Sequence, residues 1–214
     1  MQNERYYNTL LMAYLRAATG RLDCRDESEL MALAQERQIK IYDFKRNLVP
    51  LPRVKYVMGF LKSLQFKSLM DVGSGRGAFL WPFMDAFPET EVHSVDLLPH
   101  RLEIIQQVHD GGIARLHPHL GDFCQLDFDE SSVDVVTLLE VLEHIPDVEA
   151  AVGKAVHIAR QYVVVTVPSK PDDNPEHIHL LTKDKLTALF AKAGCANLHF
   201  GGVPGHLFVA ASKS

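Results

Sequence analysis

The pattern of apolar positions changes character along the chain. Over the first fifty residues the spacing is helical. Tyr7, Leu10, Leu11, Tyr14, Leu15 and Ala18 recur every three or four positions, and Gly20 stands where that helix must stop. Asp26 with Glu29 three residues on has capping-box spacing and announces a second helix carrying Leu30, Leu33, Ala34 and Ile39. Pro50 and Pro52 punctuate the chain, and Val54, Val57, Met58, Leu61 and Leu64 predict a third amphipathic helix.

From residue 68 the rhythm switches to short apolar runs separated by helical stretches. Strands are predicted at 68–72, 91–95, 115–120, 133–139, 162–167, 196–200 and 207–211, with helices at about 78–87, 101–110, 148–159 and 183–193. This alternation gives a seven-stranded, mostly parallel sheet covered on both faces, an α/β class. Residues 201–206 alone separate the last two runs, too few for a helical crossover, so these close an antiparallel hairpin at one sheet edge. The expected organisation is an N-terminal helical extension, or cap, at 1–50 on a single domain at 51–214.

Composition narrows the class without naming a chemistry. The chain has 214 residues, 47% hydrophobic and 23% charged, which excludes disordered and fibrous classes and allows a full core without metal or disulfide staples. A net charge of −5 provides no broad basic surface for non-specific nucleic-acid binding. Cys24, Cys124 and Cys195 are odd in number and far apart, unlike a secreted disulfide framework. Residues 1–5 lack the pattern of a signal peptide, and no apolar stretch approaches the roughly 18 residues of a membrane span. The expectation is a cytoplasmic protein without membrane contact.

The chemistry concentrates where predicted strands end. Asp71-Val72-Gly73-Ser74-Gly75-Arg76-Gly77 joins the first strand to the first core helix. Alternate glycines let backbone approach a ligand closely, and the helix start behind them leaves N–H groups free for a polar or anionic group. The second strand ends in Asp96, 25 residues after Asp71, where a carboxylate suits the two hydroxyls of a ribose. A nucleoside-containing cofactor follows. Gly73, Gly75 and Ala78 also satisfy the nicotinamide-dinucleotide spacing, which keeps an NAD-dependent oxidoreductase open. Asp71, two residues before the first glycine, favours a cofactor with an amino-acid-like tail instead. Gly121-Asp122-Phe123 after the third strand offers a carboxylate for an adenine amino group and an apolar face for the ring.

With these motifs the sequence resembles the class I S-adenosylmethionine-dependent methyltransferases from about residue 53 onward. The resemblance rests on the loop at 71–77, Asp96, Gly121-Asp122-Phe123 and the segment 140–147, Glu-Val-Leu-Glu-His-Ile-Pro-Asp. It implies a Rossmann-like fold and methyl transfer from S-adenosylmethionine. By resemblance Asp71, Gly73 and Gly75, with Ser74 and Gly77 in the same loop, border the methionine part of the donor. Asp96 takes the ribose, Leu97 lies beside the adenine, Asp122 and Phe123 hold the adenine, and Glu140 sits near the floor of the site. The departures are Ser74, where cysteine or threonine is also common, and Pro82 inside the first core helix, which is expected to kink it after one turn.

Methyl transfer to oxygen needs a base or a metal to take the acceptor's proton. Glu140, Glu143 and His144 are spaced to share a face of a helical turn, and the proline-rich loop after the fifth strand brings His177 to the same end of the sheet. Glu140 and His144 are the candidate catalytic residues. All four, Glu140, Glu143, His144 and His177, form a candidate set for magnesium, manganese or zinc. Small-RNA 3′-terminal ribose 2′-O-methyltransferases and ubiquinone-biosynthesis O-methyltransferases have similar E-x-x-E-H segments linked to a divalent metal. The stretch Ile178-His179-Leu180-Leu181 departs from the RNA enzymes, so a small or medium-sized acceptor is preferred to RNA. A non-catalytic regulatory subunit that holds the donor is a further alternative. His93, His100, His109, His117, His119, His157, His199 and His206 are read as surface or packing residues. Tyr6, Tyr7, Tyr14, Tyr42 and Phe44 are expected to line an acceptor pocket under the N-terminal helices, although a Tyr/Leu stripe fits a homodimer contact or plain core equally well.

Overall fold

The computed structural model describes residues 5–47, 49–171 and 173–213. Three helices lead into the sheet: α1 (Asn8–Thr19), α2 (Glu27–Glu36) and α3 (Pro52–Leu61), with a 3₁₀ turn at Tyr42–Phe44. The punctuation read from the sequence is what bounds them. Gly20 closes α1 in the left-handed region at φ 70°, and the Asp26 carboxylate accepts the N–H groups of Ser28 and Glu29 at the start of α2. Pro52 opens α3, where its missing N–H costs nothing.

The sheet and its crossovers follow as β1 (Ser68–Val72), α4 (Leu80–Ala86), β2 (Glu91–Asp96), α5 (Pro99–Asp110), β3 (Leu116–Leu120), β4 (Val133–Leu139), α6 (Val148–Ile158), β5 (Ala159–Pro168), α7 (Lys183–Lys192), β6 (Asn197–Val203) and β7 (His206–Ser212). Their spatial order is β3-β2-β1-β4-β5-β7-β6. β1 to β5 run parallel, while β7 runs against both β5 and β6, so the reversed strand lies one place in from the edge. This is the seven-stranded Rossmann-like sheet with its terminal hairpin. β1 and β4 meet at its centre, and the order reverses there, which opens a crevice at their carboxyl ends.

Two apolar layers hold the sheet. On one face Leu69, Val92, Val135 and Val164 pack with Leu11, Leu15, Leu61, Phe83 and Ile105. On the other Met70, Val136, Val163 and Val165 pack with Val152, Ala155, Leu186 and Phe190. Residues of α1 thus belong to the same core as the sheet. The closest approach is at Gly111, where a Cβ would stand 1.7 Å from the Ala13 carbonyl oxygen, and Arg16 Nε donates to the Gly111 carbonyl at 2.8 Å. Only a residue without a side chain lets α1 lie this close to the end of α5.

The helix expected at 78–87 begins at Leu80, which puts Pro82 in its first turn. Its missing N–H is one of those that a helix start leaves unbonded, so the expected kink is replaced by a helix start. β3 passes to β4 without a helix, leaving the loop 121–132 to cover the β2–β3 end of one face. Among the described residues no helix is long and apolar enough to cross a membrane.

Candidate active site

The loop after β1 takes its shape from three left-handed glycines, at φ 69° for Gly73, 58° for Gly75 and 79° for Gly77. Each has a different neighbour. A Cβ on Gly73 would meet Val141 Cγ2 at 2.6 Å, and one on Gly77 would meet the Trp81 indole at 2.0 Å. On Gly75 the nearest atom is a guanidinium nitrogen of Arg101 at 3.4 Å, so this residue alone leaves working space above it. The loop is tied to β2: Gly73 N–H donates to the Val95 carbonyl at 2.8 Å, and Gly75 N–H donates to Asp96 Oδ2 at 2.8 Å. The other carboxylate oxygen of Asp96 accepts Leu98 N–H at 2.9 Å. Asp96 therefore fixes the loop and the start of α5 together while sitting at the carboxyl end of β2.

Beneath the loop, Asp71 is buried and its Oδ1 accepts from the Thr137 hydroxyl at 2.8 Å. Burial pushes its pKa from the ordinary 3.8 to about 6, partly offset by hydrogen bonds from the hydroxyls of Ser74 and Thr137, with Asp96 pushing the same way as burial. The fold thus favours the protonated carboxyl. Its contribution to stability is complete below pH 3.8 and is lost as pH rises through about 6. The unfolding free energy of Asp71→Asn should therefore gain on the wild type by roughly 3 kcal/mol between about pH 4 and pH 7. Parallel unfolding curves for the two proteins across that range would contradict this.

The residues expected on the adenine side are arranged unevenly. Leu97 is 63% exposed beside Asp96, and Phe123 is buried. Asp122 is exposed, with Oδ1 accepting Cys124 N–H at 2.9 Å, so one of its oxygens is used by its own turn.

The Glu/His cluster divides into two. Glu140 does not share a helical face with Glu143 and His144, because it stands at φ 59° between the end of β4 and a 3₁₀ turn at Leu142–His144. Its Oε2 faces His206 Nδ1 at 3.0 Å, while its Oε1 is buried with no hydrogen-bond partner. Glu143, His144 and His177 instead bring one ligand atom each to within 4.8 Å of one another, and the rings of His144 and His177 are 4.7 Å apart. His144 Nδ1 lies 3.0 Å from the Glu176 carbonyl oxygen. Of the four candidate ligands, Glu143, His144 and His177 converge and Glu140 stands apart. His206, expected at the surface or in packing, pairs with Glu140 from β7, a contact that nothing local in the sequence marks.

The aromatic residues expected to line a pocket also divide. Tyr14 and Phe44 are core, with ring centroids 4.9 Å apart, and Phe44 stacks on Trp81 at 5.0 Å. Tyr6 and Tyr42 do line a cavity of about 470 Å³, together with Asp43, Lys40, Lys45 and Arg76. An adjoining cavity of about 360 Å³ is lined by Asp43, Gly75, Arg76, Trp81, His100 and Arg101. Trp81, which donates its indole N–H to the Arg76 carbonyl at 3.0 Å, is the bracket between the N-terminal segment and the loop. It is the only tryptophan of the chain and stands four residues after Gly77, one helical turn from the loop it covers.

Comparison with known proteins bears on the cofactor classes left open by the glycine spacing. Residues 70–164 match the model of a methyltransferase domain. The matching stretch, 95 of the 214 residues, runs from β1 into β5 and contains the glycine loop and Asp96. Among solved structures, a Nostoc punctiforme protein assigned as an O-methyltransferase is 16% identical with a TM-score of 0.63, over 87% of this chain and 58% of that one. The magnesium protoporphyrin IX methyltransferase of Synechocystis, with S-adenosylhomocysteine bound, is 17% identical with a TM-score of 0.60, over 75% of this chain and 82% of that one. A methyltransferase from Aquifex aeolicus is 16% identical with a TM-score of 0.57, over 73% of this chain and 89% of that one. At these identities the likeness establishes the methyltransferase fold. No curated protein matches the chain.

Proposed function

We propose that this methyltransferase domain transfers a methyl group from S-adenosylmethionine to an oxygen of a small or medium-sized acceptor. The observation that carries the reading is the Asp96 carboxylate at the end of β2, one oxygen on Gly75 N–H and the other on Leu98 N–H. This supports a ribose-binding role for Asp96, beside a left-handed loop that is open only at Gly75. Gly73, Ser74, Gly75 and Gly77 cradle the methionine part above Asp71, and Leu97, Asp122 and Phe123 border the adenine.

The donor supplies an electrophilic methyl group, and the chain's residues supply alignment and proton removal. His206 donates from Nδ1 to Glu140, which leaves its Nε2 lone pair available as a base, with Glu140 orienting the ring and stabilising its charged form. His144, from the neighbouring turn, is the second candidate for that task. The left-handed backbone and unmet Oε1 of Glu140 support a functional role, because strain and an unsatisfied buried oxygen concentrate at sites that bind something. Glu143, His144 and His177 converge as a set that would hold a divalent cation, and such a cation would supply Lewis-acid polarisation of an acceptor oxygen. Tyr6, Tyr42 and Asp43, from the segment before α3, serve as the lip of the acceptor pocket.

Calorimetric titration tests the donor. S-adenosylhomocysteine should bind with one site per chain, and reduced nicotinamide dinucleotide should not. The reverse pattern would replace the reading with an oxidoreductase.

A further inference from the structure

The chain as a whole is acidic, with a net charge of −5, yet the cavity beside the glycine loop is cationic. Arg5, Lys40, Lys45 and Arg76 wall it, and Asp43 is its single carboxylate. Arg76 Nε lies 3.9 Å from Asp43, and Arg5, Lys40 and Lys45 pair with no carboxylate among the described residues. The backbone that carries these cations is pinned. Tyr6 and Lys45 form an antiparallel bridge, Arg46 N–H donates to the Arg5 carbonyl at 2.9 Å, and Tyr7 N–H donates to the Phe44 carbonyl at 2.9 Å. The Arg46 side chain locks the same junction, donating to the Tyr6 carbonyl at 2.9 Å and to Asp85 at 2.6 Å. Arg5 and Lys45 are therefore held together from segments forty residues apart. Tyr42, on the lip, is 72% exposed. The adjoining cavity shares Asp43 and Arg76, adds His100 and Arg101, and is walled on one side by Gly75.

We propose that this cavity binds an anionic group, a carboxylate or a phosphate, on the methyl acceptor, an inference that rests on the methyltransferase reading above. Cations gathered around one concavity repel each other until an anion enters, and the low-dielectric walls focus their field on that space. Asp43 alone leaves the cavity with a net positive charge. The guanidinium groups of Arg5 and Arg76 are planar forks that match carboxylate and phosphate oxygens, and the two lysines add point charges. At about 470 Å³ the cavity has room for more than the anion, and Tyr6 and Tyr42 offer ring faces to the body of a small acceptor. An acceptor anchored by its anion extends past Asp43 and Arg76, the wall common to both cavities, toward Gly75, where the loop is open. The cations thus act on acceptor choice, and the donor loop keeps its own contacts to β2.

Phenyl phosphate, benzoate and the uncharged benzyl alcohol are titrated calorimetrically, at low salt, into the full chain saturated with S-adenosylhomocysteine. The same titrations are made with a Lys40→Gln/Lys45→Gln double variant and with Asp43→Asn. One of the two anions should bind at least about tenfold more tightly than benzyl alcohol, and the tighter one tells carboxylate from phosphate. The double variant should lose about tenfold in that affinity, the worth of two solvent-open ion pairs. Asp43→Asn should gain about threefold, because a like charge is removed. Opposite signs in the two variants are not what a merely structural role would give. Affinity for S-adenosylhomocysteine should be unchanged in both. The proposal is overturned if neither anion outbinds benzyl alcohol, or if the double variant binds the anion as the wild type does. It is also overturned if the double variant loses S-adenosylhomocysteine in parallel, since the lysines would then serve the donor's own carboxylate. A wild type that takes up no S-adenosylhomocysteine overturns the methyltransferase reading, and the acceptor assignment with it, whatever the anion titrations on the unliganded chain show.

Discussion

Asp96→Ala should lower the affinity for S-adenosylhomocysteine by about 100-fold. The carboxylate holds Gly75 N–H at 2.8 Å and Leu98 N–H at 2.9 Å while presenting its remaining lone pairs at the end of β2. Hydrogen bonds to a charged group are worth about 1.5–3 kcal/mol each. Losing the ribose contacts alone therefore accounts for roughly 3 kcal/mol, or about two decades in affinity. Asp96→Asn is not a neutral control. Both carboxylate oxygens accept backbone N–H groups, so an amide can satisfy one and must turn its own NH₂ toward the other. It should lose about tenfold and also lower the melting temperature, because one backbone donor is left unmet at about 1–3 kcal/mol. Affinities within threefold of wild type for Asp96→Ala, measured by calorimetry, would remove Asp96 from the donor site.

Trp81→Ala should be the most destabilising single change near the site. The side chain is fully buried, stacks on Phe44, covers Gly77 and donates to the Arg76 carbonyl at 3.0 Å. Truncation of a buried tryptophan costs about 3–5 kcal/mol, which for a chain of this length lowers the melting temperature by roughly 6–20 °C. Trp81→Phe separates packing from the hydrogen bond. It keeps an aromatic ring against Phe44 and loses only the indole N–H, so stability should fall by about 0.5–1.5 kcal/mol. Donor affinity should fall further than stability suggests, because Arg76 is then free to move with Gly75 and Gly77. Equal losses of stability in the two variants would show that the indole contributes through its N–H alone.

Much of this molecule was legible because its local signals agree with one another. Gly20, Asp26 and Pro52 bound their helices as residue chemistry requires. The apolar run at 133–139 became a central strand, Val133–Leu139, whose neighbours cover both faces. The glycine spacing and Asp96 came together because a β-turn-α unit closes over a short distance in sequence. What was not legible depends on pairings between distant segments or on backbone hand. A 3-and-4 spacing suggested that Glu140, Glu143 and His144 share a face, yet a left-handed residue at the end of β4 turned Glu140 away toward a histidine 66 residues on. Phe44 and Tyr14 carry the same apolar signature whether they line a pocket or fill a core, and the partner that decided between them, Trp81, arrives from α4. The histidines of β2 and β3 alternate in sequence like any half-exposed strand. Only the missing helix between β3 and β4 makes their face a cavity.

The account turns on a methyl donor seated over Gly75, and substitution at that one position tests it most directly. Gly75→Leu places a side chain in the open space above the loop at φ 58°, where the nearest other group is the movable Arg101 guanidinium at 3.4 Å. The left-handed conformation costs about 1–2 kcal/mol for a residue with a Cβ, so the variant should remain folded by circular dichroism. Its calorimetric titration with S-adenosylhomocysteine should show no measurable heat where the wild type saturates at one equivalent. Saturation of the folded variant with wild-type affinity would place the donor elsewhere and contradict the account.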